Sequence, residues 1–211
     1  VSLVYHGLDL ARFPPPPPRM PMPEGAPQTI LSVGRLVAKK GFDVLLEALA
    51  RLAPDLRWRL EHVGGGPLKR RLARQAERLG IADRVAWAGA RPQPEVLARY
   101  RAADVFVLAS VVAEGGDRDG LPNVLMEAQS QGLACVSTSV SAIPELIEDG
   151  RTGLLVPERD ALALARAIEA VLRDGDLRAR LGAAGAARLR ERFGHAAGID
   201  RLAQLFGLAP V

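Results

Sequence analysis

From Thr29 onward, the sequence alternates between short apolar runs and longer segments whose apolar residues recur at helical spacing. Strand-like runs that alternate with helical crossovers are typical of a parallel sheet covered by helices. A final helical stretch, Asp160 to Phe206, is predicted to break near Gly175 and Gly194. The runs predicted to form strands begin at Thr29, Trp58, Arg84, Val105, Ala134 and Gly153. The alternation therefore predicts an α/β fold: a Rossmann-like, doubly wound parallel sheet with helices on both faces.

A proline-rich stretch precedes this alternation. Residues 14–18 are five consecutive prolines, and further prolines follow as far as Pro27. Such a composition forms extended backbone without internal hydrogen bonds, so it predicts a linker, with a ligand for a proline-recognising domain as the alternative. We expect the chain to begin at a domain junction. The predicted division is an interdomain segment and proline-rich linker at 1–28, a Rossmann-like domain at 29–193, and a C-terminal helix and tail at 194–211.

Composition excludes several classes of protein. The longest apolar run, Val105 to Ala113, is far shorter than the ~20 residues of a membrane-spanning helix, and the N-terminus lacks the pattern of a signal peptide. The single cysteine, Cys135, is expected to be a core thiol, and no Cys/His cluster has metal-ligand spacing. The net charge is +4, and no aromatic residue is interleaved with a basic cluster. Nucleic acid therefore stays a weak alternative, and the basic segment Leu68 to Arg74 is predicted to be a solvated helix face.

Basic residues follow the first predicted strand, where open parallel sheets bind their ligands. The loop GRLVAKKG, Gly34 to Gly41, places Arg35 and Lys40 beside the start of a helix. Two cations near a helix N-terminus suit a nucleoside diphosphate, and ordinary surface cations are the alternative. The GGGP turn after the second strand matches no dinucleotide fingerprint, and GRLVAKKG matches no triphosphate-binding loop.

A second candidate segment is DGLPNVLME, from Asp119 to Glu127. Pro122 is predicted to lie in the first turn of a helix, which leaves free backbone N–H groups at the helix entry. The two carboxylates are eight residues apart, one before the helix and one in its second turn. They can therefore reach different parts of one extended ligand. A polar turn before a helix start is the alternative.

Taken in order, these motifs resemble the C-terminal domain of retaining GT-B glycosyltransferases of family 4. The resemblance runs from about Tyr5 to Phe206 and includes VGRLVAKKG, GGGP, RVAWAG, YRAADVFVLAS, DGLPNVLMEAQSQGLACVST and IPELIEDGRTGLLV. The opening YHGLDLARF is similar to the N-G-V-D stretch that crosses between the two domains of such enzymes. The resemblance implies that only the donor-binding half of a GT-B enzyme is present.

The resemblance also implies roles for individual residues. Arg35 and Lys40 match the basic pair that holds the donor diphosphate and stabilises it as it departs. Glu127 matches the second carboxylate of the E-x7-E motif, which binds the ribose hydroxyls, and Asp119 stands where the first glutamate contacts the donor sugar. The implied catalytic residues are Arg35, Lys40 and Asp119. The implied donor-binding residues are Gly34, Gly64, Gly65, Gly89, Arg91, Gly120, Leu121, Pro122, Asn123, Val124 and Glu127, with Gly89 to Arg91 meeting the nucleobase.

One departure from the family pattern is the aspartate at position 119, whose side chain is shorter than glutamate by about 1.5 Å of reach. The pattern Asp117-Arg118-Asp119 also matches the D-x-D motif that binds a divalent metal in the other glycosyltransferase fold. We expect no metal and no cofactor, because Arg35 and Lys40 already supply positive charge. His62 is expected to be structural, and His6 and His195 show no partner in the sequence.

The expected function is that of a donor-binding domain. Its enzyme would move a sugar from a UDP- or GDP-sugar to a saccharide or lipid-linked acceptor in envelope polysaccharide assembly. The chain alone would turn over little, because the N-terminal, acceptor-binding domain is missing. Cytoplasmic localisation is expected, with peripheral association at the inner face of the plasma membrane left open. The alternatives are a non-catalytic nucleotide-sugar-binding module and a nucleotide-sugar epimerase or phosphorylase of similar fold.

Overall fold

The computed structural model describes residues 4–17 and 25–208, and it contains one six-stranded sheet. Every pair of neighbouring strands is parallel, and the spatial order is β3-β2-β1-β4-β5-β6. The strands are β1 (Gln28–Val33), β2 (Trp58–Val63), β3 (Val85–Gly89), β4 (Val105–Leu108), β5 (Ala134–Thr138) and β6 (Leu154–Val156). The predicted doubly wound parallel sheet is confirmed.

Helices cover both faces of this sheet. All residues of β4 and β5 are buried, as a central parallel strand requires, and their sequences VFVL and ACVST are accordingly almost free of large polar side chains. The helices are α1 (Phe42–Leu49), α2 (Lys69–Arg78), α3 (Gln93–Ala102), α4 (Asn123–Ser130), α5 (Ile143–Leu146), α6 (Ala161–Arg173), α7 (Gly175–Arg192) and α8 (His195–Leu205). The predicted breaks near Gly175 and Gly194 are confirmed.

Local sequence explains where the last helices begin and how closely they pack. Asp160 and Asp174 cap α6 and α7, since each side chain accepts a hydrogen bond from the backbone N–H three residues later, at 2.8 Å. Helix α7 contains the sequence LGAAGAA. A Cβ at Gly182 would lie 2.2 Å from the carbonyl oxygen of Gly132, in the loop between α4 and β5. The small residues of α7 therefore let this helix pack directly against the backbone of that loop.

The N-terminal segment packs on the C-terminal helices. Leu8 forms an isolated parallel bridge with Gly194, and its N–H donates to the Phe193 carbonyl over 2.7 Å. Within the described residues before the prolines, this bridge is the extent of β-pairing. Parts of the predicted linker and tail, residues 18–24 and 209–211, lie outside the described residues, as do residues 1–3.

Two further expectations concern single elements. Pro122 has an extended conformation and precedes α4, so the prediction that it lies in the first helical turn is wrong by one residue. The basic segment on α2 is a solvated face as predicted, because Lys69, Arg70 and Arg71 are exposed while Leu72 is buried. No helix in the described part of the chain is long and apolar enough to cross a membrane.

Candidate functional site

The strand order reverses between β1 and β4, and the site is built there. From β1 the chain moves outward to β2 and β3, whereas from β4 it moves the other way, to β5 and β6. The loops that follow these two central strands, 34–41 and 109–122, therefore flank a crevice at the carboxyl edge of the sheet. In open α/β sheets this crevice is where ligands bind.

Two lysines and two aspartates from these loops form a charged cluster, called here the lysine–aspartate cluster. Lys40 Nζ lies 2.8 Å from Asp119 Oδ2, and both side chains are only 13% exposed. Lys39 Nζ lies 2.9 Å from Asp117 Oδ1 and 3.8 Å from Asp119 Oδ1. The structure thus brings together Lys40 and Asp119, two of the three predicted catalytic residues.

Backbone contacts fix the relative position of the loops 34–41 and 109–122. Gly41 has φ +60°, and a Cβ there would lie 1.8 Å from the Ala109 carbonyl oxygen. The Val111 N–H donates to the Lys39 carbonyl over 2.9 Å. Ser110 Oγ donates to Asp119 Oδ2 over 3.3 Å. The lysine–aspartate cluster is therefore fixed by the backbone as well as by its own charges.

The glycine turn after β2 forms the adjacent wall. Gly64 has φ +141°, and a Cβ there would lie 1.9 Å from the Gly34 carbonyl oxygen. The Leu36 N–H donates to the Gly65 carbonyl over 2.9 Å, and the Gly64 N–H donates to the Gly89 carbonyl over 2.9 Å. Four of the predicted donor-binding glycines thus belong to one continuous backbone surface.

Arg35, the third predicted catalytic residue, is exposed and forms no ion pair with any residue that the structure describes. Its charge acts on Lys39, whose pKa is raised because its ammonium group donates to Asp117, while Arg35 opposes that rise. The guanidinium group is therefore free to meet an anion that enters the crevice. With Arg35, the group carries three positive charges against the two carboxylates Asp117 and Asp119.

A second part of the site is an open cavity of about 510 Å³ between the N-terminal segment, the β3–α3 loop and α4. Among the predicted donor-binding residues, Arg91, Asn123, Val124 and Glu127 line it. Its other lining residues are Gly7, Leu8, Asp9, Arg12, Phe13, Val33, Gln93 and Val96. Its wall combines apolar side chains with a few polar and charged ones, as the walls of small-molecule sites commonly do.

The two predicted carboxylates have different surroundings. Asp119 faces lysines, whereas Glu127 forms part of the cavity wall and accepts a hydrogen bond from Tyr100 OH over 3.0 Å. Burial raises the pKa of Glu127, and the hydrogen bond from Tyr100 and the charge of Arg12 oppose that rise. The two carboxylates therefore lie in different parts of the site, and their contacts with one extended ligand stay a prediction.

The remaining predicted residues lie around the entry of α4. Gly120 and Leu121 precede the buried Pro122, and a Cβ at Gly120 would meet open space. No side chain caps the N-terminus of α4. The first N–H groups of this helix therefore have no side-chain cap among the described residues, and an uncapped helix N-terminus favours an anion.

Sequence reasoning missed several residues of the site. It named no role for Lys39, which pairs with Asp117, or for Arg12, which lines the cavity. It also gave His6 no partner, whereas His6 Nε2 forms a hydrogen bond with Asn123 Oδ1. His195 likewise approaches the Leu8 carbonyl, at 3.3 Å. The available signal was position: His6 and Arg12 lie within the stretch that resembles the interdomain crossing.

His62 lies beneath the glycine surface and is fully buried between Phe42 and Trp87. Neither ring nitrogen has a hydrogen-bond partner among the described residues. Burial lowers the pKa of His62 to about 4, against a smaller opposing effect of the Gly34 backbone. The imidazole is therefore neutral at pH 7, and as expected it is a core residue rather than a proton carrier. Cys135 is also fully buried, and burial raises the pKa of its thiol.

The aspartates of the D-x-D pattern both face lysine ammonium groups. Positive charge at this distance disfavours a divalent cation at the same carboxylates. Within residues 4–17 and 25–208, no group of three or more His, Cys, Asp or Glu side chains could hold a metal ion.

Comparison with known proteins gives a consistent group of relatives. The family described as glycosyl transferases group 1 matches residues 22–188. The putative colanic acid biosynthesis glycosyltransferase WcaL of Escherichia coli K12 is 43% identical over 171 residues, which cover 81% of this chain and 41% of that protein. The lipopolysaccharide core biosynthesis glycosyltransferase LpsE of Rhizobium meliloti is 36% identical over 91% of this chain and 53% of that protein. The chain spans about half the length, or less, of these curated relatives.

Solved structures share the fold. The crystal structure of Anabaena HepE in complex with UDP has a TM-score of 0.83 at 22% identity, covering 98% of this chain and 57% of that one. The C-terminal domain of a group 1 family glycosyl transferase (LpcC) from Francisella tularensis has a TM-score of 0.74 at 22% identity, covering 89% of this chain and 99% of that one. The family match extends over most of the chain, and it includes the loops after β1 and β4. The chain belongs to the glycosyl transferases group 1 family.

Proposed function

We propose that this chain is the C-terminal, donor-binding domain of a retaining, family 4 glycosyltransferase with the GT-B fold. The observation that carries the proposal is the pairing of Lys40 with Asp119 where the strand order reverses. Arg35 follows the same strand as Lys40, and it forms no ion pair within the described residues. A nucleoside diphosphate sugar fits this arrangement, with its nucleoside in the 510 Å³ cavity and its diphosphate over the glycine surface. The full-length protein would act in the cytoplasm on a saccharide or lipid-linked acceptor, with peripheral association at the inner face of the plasma membrane as part of the proposal.

The chemistry assigned to the residues is mainly electrostatic. The bond between the anomeric carbon and the diphosphate oxygen breaks, and its electron pair stays on the leaving diphosphate. In this proposal Lys40 and Arg35 offset that negative charge. The acceptor hydroxyl gives its proton to the leaving diphosphate oxygen, and the acceptor oxygen forms the new bond to the anomeric carbon on the face that the diphosphate leaves. In this proposal Asp119 contacts the donor sugar, because it lies beside Lys40 and outside the cavity that contains Glu127.

Related proteins support the donor class. HepE structures contain UDP or UDP-glucose, and a 36% identical relative from Mycolicibacterium smegmatis is a GDP-mannose-dependent mannosyltransferase. The relatives that act in colanic acid and lipopolysaccharide synthesis support an envelope saccharide as acceptor. Since the chain spans half of such proteins, we expect it to bind donor and to turn over little on its own.

The direct test is thermal stability with UDP and GDP. We expect at least one of them to raise the Tm in the presence of EDTA, because the cations and helix N-terminus neutralise the diphosphate without metal. Stabilisation at a hundredfold excess over Kd should be roughly 2.7 kcal/mol. Lys40→Met should weaken binding about tenfold or more, as expected for a charge-assisted hydrogen bond. The matched control is Lys69→Met, an exposed lysine on α2. A shift that requires Mg²⁺ or Mn²⁺ would contradict metal-free binding.

A second prediction separates the two carboxylates. Glu127→Ala should weaken the nucleoside diphosphate and its sugar derivative alike, because Glu127 belongs to the cavity assigned to the nucleoside. Asp119→Ala should reduce the preference for the sugar-bearing ligand over the bare diphosphate by about 1 to 3 kcal/mol. It should not weaken the bare diphosphate, because it releases Lys40 from its ion pair. Calorimetry with both ligands on both variants measures this. Equal losses from Asp119→Ala on the two ligands would refute its assigned contact with the sugar.

A further inference from the structure

A buried tyrosine lies directly behind the carboxylate assigned to the ribose. Tyr100, on α3, is fully buried, and its hydroxyl lies 3.0 Å from Glu127 Oε2 and 3.4 Å from the Val124 carbonyl oxygen. Its ring packs against Phe106 of β4, with centroids 5.8 Å apart. A tyrosine hydroxyl in a core needs a hydrogen-bond partner, and this one has found its partners on α4, the helix that begins at the candidate site.

The two oxygens of the Glu127 carboxylate differ in their hydrogen bonding. A carboxylate accepts hydrogen bonds at both oxygens, and Tyr100 occupies Oε2 from inside the core. Glu127 lines the cavity, and within the described residues Oε1 forms no hydrogen bond. Because Tyr100 is held by packing, the hydrogen bond limits the side chain of Glu127 to orientations that keep Oε2 at the tyrosine hydroxyl, which leaves Oε1 as the acceptor for a ligand.

We propose that Tyr100 is a positioning residue, which orients Glu127 so that one carboxylate oxygen meets the ribose hydroxyls of the nucleoside diphosphate. This inference rests on the proposed function, in which Glu127 binds the ribose. Burial raises the pKa of Glu127, and the hydrogen bond from Tyr100 and the charge of Arg12 oppose that rise. Asp9 and Arg91 are the other charged groups that line the cavity.

The test uses ligands with and without the ribose hydroxyls. UDP, GDP and their 2′,3′-dideoxy forms are titrated into the unaltered chain and into Tyr100→Phe. We expect Tyr100→Phe to bind the better of UDP and GDP about tenfold more weakly, as expected when a hydrogen bond to a charged group is lost. Its affinity for the dideoxy form should stay within about twofold, since only the base and diphosphate contacts act there.

Two controls separate positioning from a general structural role. Ser137→Ala removes another buried hydroxyl, which donates to the Leu108 carbonyl over 2.7 Å on the neighbouring strands. It should leave the ratio of the two affinities unchanged. In a Glu127→Gln background, Tyr100→Phe should cause much less than its tenfold loss, because the two residues act through one contact.

Each outcome decides a different statement. If Tyr100→Phe weakens the ribose and dideoxy ligands equally, or weakens neither, the positioning role is wrong while nucleotide binding stands. If the full tenfold loss persists in the Glu127→Gln background, Tyr100 does not act through Glu127. If the unaltered chain binds neither UDP nor GDP, the proposed function fails, and the role of Tyr100 fails with it.

Discussion

Gly64→Ala should destabilise the protein by about 3 kcal/mol, and the same replacement at Gly65 should have almost no effect. The backbone at Gly64 has φ +141°, which is strained for alanine, and the new Cβ would lie 1.9 Å from the Gly34 carbonyl oxygen. The new Cβ would clash with backbone at the end of β1, and backbone cannot move aside as a flexible side chain could. The clash can be removed only if the ends of β1 and β2 move apart, next to the glycine surface over which the diphosphate is proposed to bind.

Gly65 is a matched control for this substitution. A Cβ there would meet no heavy atom within 4 Å, and its φ lies outside the left-handed region. Urea unfolding monitored by circular dichroism measures both variants, and the loss at Gly64 corresponds to a Tm lower by roughly 10 °C for a chain of this size. Equal stability of the two variants would show that the close approach of Gly34 and Gly64 is not needed. We also expect Gly64→Ala to lose diphosphate binding at temperatures where it is still folded.

The sheet could be predicted from the sequence because its signals are local. Runs such as VFVL, for β4, are apolar on both faces, and each is followed by a helix-like segment and turn residues. Parallel pairing follows from these crossovers, since a helix between two strands returns the chain to the same edge. The error at Pro122 is also local: its extended conformation continues the loop by one residue, and α4 begins at Asn123.

The site could be predicted only in part, because its contacts are not local. Lys40 and Asp119 are 79 positions apart, and they meet because β1 and β4 are neighbours in the sheet. The strand order determines that neighbourhood, and no short motif encodes it. The family resemblance supplied both residues as members of one site. It did not supply Lys39, whose pairing with Asp117 depends on the detailed course of the loop after β4.

The contacts of the N-terminal segment were beyond sequence reasoning for a related reason. His6 reaches Asn123 across 117 positions, and Arg12 enters the cavity, because residues 4–13 pack against the end of α7 and the start of α8. The bridge between Leu8 and Gly194 attaches the N-terminal segment to the C-terminal helices, and the same segment forms one wall of the cavity. Stability and site geometry are therefore linked at this segment.

The contribution of His62 to the free energy of unfolding should decrease by about 3 kcal/mol as the pH falls from 6.5 to 4. Its pKa in the folded protein is about 4, below the ordinary 6.5, because burial disfavours the charged imidazolium. Between these two values the unfolded chain takes up a proton that the folded chain refuses. Proton uptake therefore stabilises the unfolded state relative to the folded state as the solution becomes more acidic. The contribution of His62 to folded-state stability is fully present above pH 6.5 and is lost as the pH falls towards 4.

The variant His62→Leu isolates this effect from the other groups that titrate in the same range. Leucine has a similar volume, and it removes two ring nitrogens that have no hydrogen-bond partner in the described chain, so stability at pH 7 should change by no more than about 1 kcal/mol. Urea unfolding at pH 7, 5.5 and 4.5 gives the two stability curves. We expect them to diverge as the pH falls, with the leucine variant increasingly the more stable. Parallel curves would mean that His62 has the same pKa in the folded and unfolded states. The imidazole would then be hydrated in the folded protein, contrary to its packing against Phe42 and Trp87.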